Sequence, residues 1–83
     1  MKKTLIILPA YNVEKEIYNL LSNMQNYREN VIIVDDGSTD NTFQIIDSLN
    51  YNVIRQEKNA GVASAIKIGI NYAINNGYQS AVF

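Results

Sequence analysis

Short β-branched apolar runs alternate with helix-period segments at roughly 25-residue intervals, and that alternation fixes the class of fold. Thr4–Leu8 is almost wholly apolar, as a strand covered on both faces must be. Val31-Ile32-Ile33-Val34 carries the same signal. Tyr51–Gln56 is a weaker run whose polar ends place it at a sheet edge. Between them, Ile17, Leu20, Leu21 and Met24 fall on one face of a helix from Val13 to about Met24, with Asn12 as its expected N-cap. A second helix, about Asn41 to Leu49, repeats the spacing with Thr42, Ile45, Ile46 and Leu49, and Asp40 can cap it. A third, about Gly61 to Asn76, carries Val62, Ala65, Ile66, Gly69 and Ala73 on its stripe and has Gly77 placed to end it. Its small residues predict close approach to a sheet. Ser80–Phe83 reads as the start of a fourth strand. The order β-α-β-α-β-α-β predicts an α/β, Rossmann-like parallel sheet with crossover helices, and a ligand at the carboxyl ends of its strands.

Composition narrows the chemistry. Cysteine and histidine are both absent, which excludes disulfides, thiolate and imidazole metal sites, and every His-dependent triad. A metal here would have to be a hard cation on carboxylates. The net charge of −1 gives no electrostatic footprint for nucleic acid. Met1-Lys2-Lys3 precedes an apolar run, but Leu5–Leu8 ends at Pro9 and is too short for a secretory leader. No stretch approaches the roughly 18 apolar residues of a membrane span, so a cytoplasmic location is expected. The 83 residues amount to one small unit, and a chain stopping one residue after Val82 reads as a piece of a longer protein.

Polar and aromatic residues concentrate at the strand ends. The first strand ends in Pro9-Ala10-Tyr11-Asn12, the second in Asp35-Asp36-Gly37-Ser38-Thr39-Asp40, and the third is followed by Glu57-Lys58-Asn59-Ala60-Gly61. Asp35 and Asp36 can accept from a ring N–H or a sugar hydroxyl, or help hold a divalent cation. Equally, one of them caps the loop and the other is solvated. Tyr11 can stack on a planar base or pack over the sheet end. Asn12 is a cap or a ligand. Gly61 opens the third helix, whose N-terminus favours phosphate, or simply makes a turn. Lys67 can reach a diphosphate or stay solvated. Asn59–Ser64 lacks the Gly-Lys-Ser/Thr ending of a Walker loop, and no Gly-x-Gly-x-x-Gly follows the first strand.

Together, Leu8-Pro9-Ala10-Tyr11-Asn12, Ile33-Val34-Asp35-Asp36-Gly37-Ser38-Thr39-Asp40-Asn41-Thr42 and Asn59-Ala60-Gly61, with Ala65 and Gly69 following, resemble the N-terminal part of family 2 glycosyltransferases of the GT-A fold. The resemblance covers essentially residues 1–83 and implies the strand order 3-2-1-4. It implies a sugar nucleotide, most often a UDP-sugar, with Tyr11 against the base and Asp36 accepting from the base ring N–H. Pro9 and Ala10 would shape the floor, and the stretch from Gly61 to Lys67 would face the ribose or diphosphate. In many relatives an acidic residue directly after the Tyr-Asn pair contacts the nucleotide. Here Val13 intervenes and Glu14 is one place later. The family's Asp-x-Asp metal motif would follow Phe83. A complete parent would therefore use Mg²⁺ or Mn²⁺ to transfer a sugar to an acceptor (polysaccharide, lipid or protein), with a membrane-associated parent on the cytoplasmic side. The chain alone is expected to hold no metal, to lack transferase activity and to self-associate through an exposed sheet edge. Two other classes compete. A nucleotidyltransferase would carry a Gly-rich, Arg-Lys-bearing loop after the first strand. A non-enzymatic α/β binding module of the response-regulator kind would carry its acidic pair there.

Overall fold

The computed structural model describes residues 3–83. Met1 and Lys2, the start of the stretch weighed above as a leader, lie outside the described residues. The elements run β1 (Thr4–Ala10), α1 (Glu14–Asn23), a 3-10 segment (Gln25–Asn30), β2 (Val31–Asp35), α2 (Thr42–Ser48), β3 (Asn52–Arg55), α3 (Val62–Asn75) and β4 (Ser80–Val82). The sheet is wholly parallel in the order β3-β2-β1-β4, as expected.

β1 runs past Leu8 through Pro9 to Ala10, which pairs with Asp35. Proline in an inner strand needs a reason. The Ala10 carbonyl accepts from Asp36 N on the β2 side, and successive residues of a strand direct their backbone groups to alternate neighbours. Pro9 therefore faces the other side, where β4 pairs only with Thr4–Ile6, and its missing N–H breaks no ladder bond.

The pleat sorts the strand residues onto two cores. Val31 and Ile33 join Ile17, Leu21, Ile46 and Tyr51 under α1 and α2. Leu5, Ile7 and Ile32 join Ala73 under α3. β2 is buried along its whole length, which is what its unbroken β-branched run requires. α1 rests on Ile17 and Leu21, whereas Leu20 is 46% exposed. The face predicted for this helix is thus narrower: it centres on the i, i+4 pair and leaves the i+3 residue at its edge. The polar stretch 25–30, without apolar periodicity, forms the 3-10 segment that the sequence pattern did not reveal. Tyr51 precedes β3 instead of starting it. It is buried, and its hydroxyl donates to the Leu21 carbonyl. Burial raises its pKa against a smaller opposing pull from Arg28, so it stays a donor.

α3 lies on the sheet through Ala65, Gly69 and Ala73. A Cβ at Gly69 would stand 2.4 Å from Ile7 Cγ2 and 3.0 Å from both Cγ1 and Cδ1. Ile7 is β-branched, stiff at χ1 and wholly buried, so it cannot yield cheaply. Helix propensity alone would have Gly69→Ala gain about 1 kcal/mol. Overpacking reverses the sign, and urea denaturation should show a net loss of about 1–3 kcal/mol.

Candidate functional site

Three loops leave the same edge of the sheet, and one carboxylate joins them. Asp36 stands directly after β2 and is 4% exposed. Its backbone N–H donates to the Ala10 carbonyl at 2.8 Å, which holds the end of β1. Its Oδ1 accepts from Ala60 N at 2.8 Å and from Gln56 Nε2 at 3.3 Å, and its Oδ2 accepts from Gly61 N at 2.9 Å. The loop before α3 is therefore folded back onto the end of β2. Gly37 makes that approach possible. Its φ is +73°, and a Cβ there would lie 2.6 Å from Asn59 N and from the Lys58 carbonyl carbon. Gly61, with φ +98°, turns the chain into α3.

An open cleft of about 280 Å³ lies between these loops, lined by Pro9, Ala10, Tyr11, Asp36, Asn59, Gly61 and Val62. Five of the residues singled out from sequence, Pro9, Ala10, Tyr11, Asp36 and Gly61, are brought together here from three different strand ends. Tyr11 is 45% exposed, and Val62, at 63%, offers an apolar surface at the start of α3. A carboxylate oxygen has room for two donors. Among the described residues, Oδ1 of Asp36 is full, while Oδ2 takes only Gly61 N and keeps one acceptor position. Asn59 was not foreseen as a lining residue, although it stands two places before Gly61, whereas Val62 falls within the Gly61–Lys67 stretch that the resemblance turns toward the ligand.

The other candidates lie apart from the cleft lining. Asp35 is fully buried. Its Oδ1 accepts from the Ser38 hydroxyl and, at 3.3 Å, from Ser38 N. Its Oδ2 has Arg55 Nε at 3.5 Å and no hydrogen-bond donor among the described residues. The Arg55 guanidinium in turn lies over the Phe43 ring, 4.5 Å from its centroid. Asn12 is no N-cap. It sits in the left-handed region at φ 51°, and its Oδ1 accepts from Thr39 N at 2.8 Å. The start of α1 is served from the β2–α2 loop instead: Val13 N donates to Thr42 Oγ1 and Glu14 N to Asp40 Oδ2. Glu14 returns the favour, its Oε1 accepting from Asn41 N at 2.9 Å. Lys67 is exposed on α3, five residues or about 7.5 Å along the axis from its first residue. Among the described residues no three acidic side chains gather as a metal site. Asp35 and Asp36 are adjacent, but Asp35 is buried against Ser38 and Arg55 and Asp36 is held by Gln56, Ala60 and Gly61, so the pair does not form a cluster that would hold a divalent cation.

The family model for glycosyl transferase family 2 matches residues 5–78. Among curated proteins, the UDP-N-acetylglucosamine--dolichyl-phosphate N-acetylglucosaminyltransferase of Methanococcus voltae is 39% identical over 95 residues, covering 93% of this chain and 38% of that protein. An uncharacterized protein of Methanocaldococcus jannaschii is 38% identical over 84 residues, covering 93% of this chain and 37% of its own length. The poly(ribitol-phosphate) beta-N-acetylglucosaminyltransferase TarS of Staphylococcus aureus is 40% identical over 70 residues, 74% of this chain and 12% of that enzyme. The chain thus spans well under half the length of the curated relatives it matches.

Asp40 gives the site a measurable pH signature. Desolvation pushes its carboxyl up, but hydrogen bonds from the Thr42 hydroxyl and N–H and from Glu14 N–H outweigh that and leave its pKa below the ordinary value. A depressed native pKa contributes stability that is fully present above the unfolded value of 3.8 and is lost as pH falls through the native one. Thermal melts on the acid side should therefore fall less steeply for Asp40→Asn than for the parent chain. Equal slopes would mean that this carboxylate does not stitch the two helix starts together.

Proposed function

Because the chain belongs to glycosyl transferase family 2, we propose that its cleft holds the nucleotide of a sugar-nucleotide donor, a UDP-sugar. The observation that carries this is the convergence of an aromatic ring, a buried carboxylate with one open acceptor position and a glycine helix entry on a single cleft. The base lies against Tyr11, a contact of about 0.5–1.5 kcal/mol. Its ring N–H donates to Asp36 Oδ2. Pro9 and Ala10 form the floor, and Gly61, without a side chain, lets the ribose approach the start of α3. Lys67 lies further along the same helix, on the path toward the diphosphate. Asn12, Glu14 and Asp35 shape the cleft wall through the bonds described above.

The cleft, at about 280 Å³, lies just under the roughly 300–1,000 Å³ of pockets that enclose small-molecule ligands, a size that suits the nucleoside part of the donor. The Methanococcus relative's name supports UDP as the nucleotide. The relatives' names give two acceptors, a dolichyl phosphate and a poly(ribitol phosphate), so the acceptor class is left open between lipid and polymer. Dolichyl phosphate, itself a lipid, also supports a parent working at the cytoplasmic membrane surface. No helix among the described residues is long and apolar enough to cross a membrane.

Stacking and one hydrogen bond must offset the several kcal/mol lost on immobilising a ligand, so the chain alone should bind UDP with a millimolar dissociation constant and transfer no sugar. NMR titration with UDP, GDP and dTDP checks this. Shifts should centre on residues 9–11, 36 and 59–62, and Tyr11→Ala should weaken binding about fivefold. Shifts spread elsewhere, or an unchanged affinity, would contradict the assignment. Self-association follows from the outer edge of β4, where Val82 and Phe83 are exposed. Sedimentation velocity should show a concentration-dependent rise in mass, and a clean monomer at high concentration would count against that contact.

A further inference from the structure

We infer that Ser38, backed by Asp35 and Arg55, is a positioning residue that sets the Tyr11 wall of the cleft. This rests on the nucleotide reading above. Four groups make one continuous chain from the β3 edge to the turn that carries Tyr11. Arg55 Nε faces Asp35 Oδ2 at 3.5 Å. Asp35 Oδ1 accepts the Ser38 hydroxyl proton. The Ser38 oxygen, with its proton thus directed away, accepts from Asn12 N at 2.9 Å.

Three features make this a device for placing Tyr11. Asn12 is the next residue after Tyr11, and its left-handed backbone is held at its N–H by Ser38 and at its side chain by Thr39 N, so the N–H bond is the one that fixes the side next to Tyr11. Ser38 and Asp35 are buried, at 5% and 0% exposure, so water cannot replace them cheaply. A serine hydroxyl is both donor and acceptor, and with its O–H donated to Asp35 a lone pair of the oxygen is left to accept from the Asn12 N–H. Asp35 therefore acts without touching the ligand: it orients Ser38, and Ser38 fixes the turn on which Tyr11 stands. Tyr11 itself is nearly half exposed, and with this tether cut its ring samples orientations in which it no longer forms the cleft wall.

The test uses the whole chain and two readouts, one of which needs no nucleotide. In Ser38→Ala, hydrogen exchange at the Asn12 amide should speed up about tenfold while the amides of β1 and β2 keep their protection. Ser38→Thr, which retains the hydroxyl, should restore most of that protection. Ser38→Cys preserves the side-chain shape with a weakly accepting sulfur and serves if the alanine variant does not fold. UDP titration should show Ser38→Ala weakened about fivefold. Combined with Tyr11→Ala it should add nothing further, because both changes remove the same contact. Unchanged exchange at Asn12 overturns the tether. Faster exchange with unchanged UDP affinity, or strictly additive losses with Tyr11→Ala, overturns the positioning role while leaving the nucleotide cleft standing. Absence of any UDP binding by the parent chain, with Asn12 exchange that still responds to Ser38→Ala, overturns the nucleotide reading and leaves the tether standing.

Discussion

The Asp36 carboxylate is the group on which the arrangement of the cleft depends. A buried carboxylate is costly unless its oxygens are satisfied, so the chain must bring donors to it. Those donors are backbone N–H groups of Ala60 and Gly61, far along the sequence, together with the Gln56 amide. Satisfying the charge and closing the loop before α3 onto the sheet are therefore one event. The Asp36 N–H fastens the same point to the end of β1. A cleft built this way is preformed, and a ligand entering it does not have to order the loops first.

The parallel sheet supplies the rest of the geometry. All the strand ends that matter point the same way, so residues as far apart in the chain as Pro9 and Val62 arrive at one edge. Small residues at Ala65, Gly69 and Ala73 let α3 lie close to β1 and β2, which carries its first residues, Val62 among them, to the rim of the cleft. On the opposite face, α1 and α2 are joined at their starts by Asp40, Thr42 and Glu14, each serving the backbone of the neighbouring helix. The two layers meet at the 35–42 segment, where consecutive carboxylates do unlike work. Asp36 holds the α3 side, and Asp35 holds Ser38 and the turn after β1.

Much of this was legible in the sequence because it follows from periodicity. The apolar runs, the helix spacing and the small-residue stripe of α3 give strands, helices and the close approach of α3 to the sheet directly. So does the glycine that ends α3: Gly77 takes φ +76° there. The convergence of Pro9, Ala10, Tyr11, Asp36 and Gly61 followed from strand-end logic. What was not legible depends on three-dimensional partners. Asn12 has the composition of an N-cap, yet the caps of α1 come from Thr42 and Asp40, whose proximity no local pattern encodes. Tyr51 reads as a strand residue, but the Leu21 carbonyl draws its hydroxyl into the core. The division of labour between Asp35 and Asp36 is also invisible in a doublet of identical residues, since it is set by which donors surround each.

Asp36 closes the cleft through Ala60 and Gly61 and leaves one Oδ2 acceptor position, which on the proposed reading takes the ring N–H of a base. Comparing UDP with its N3-methyl analogue by NMR titration of the chain measures that position directly, because methylation removes the ring donor and leaves stacking, ribose and diphosphate in place. The analogue should bind at least about tenfold more weakly, as expected for loss of a hydrogen bond to a charged acceptor, while still perturbing Tyr11. Equal affinity of the two nucleotides, with the same shifts around Asp36, would contradict it.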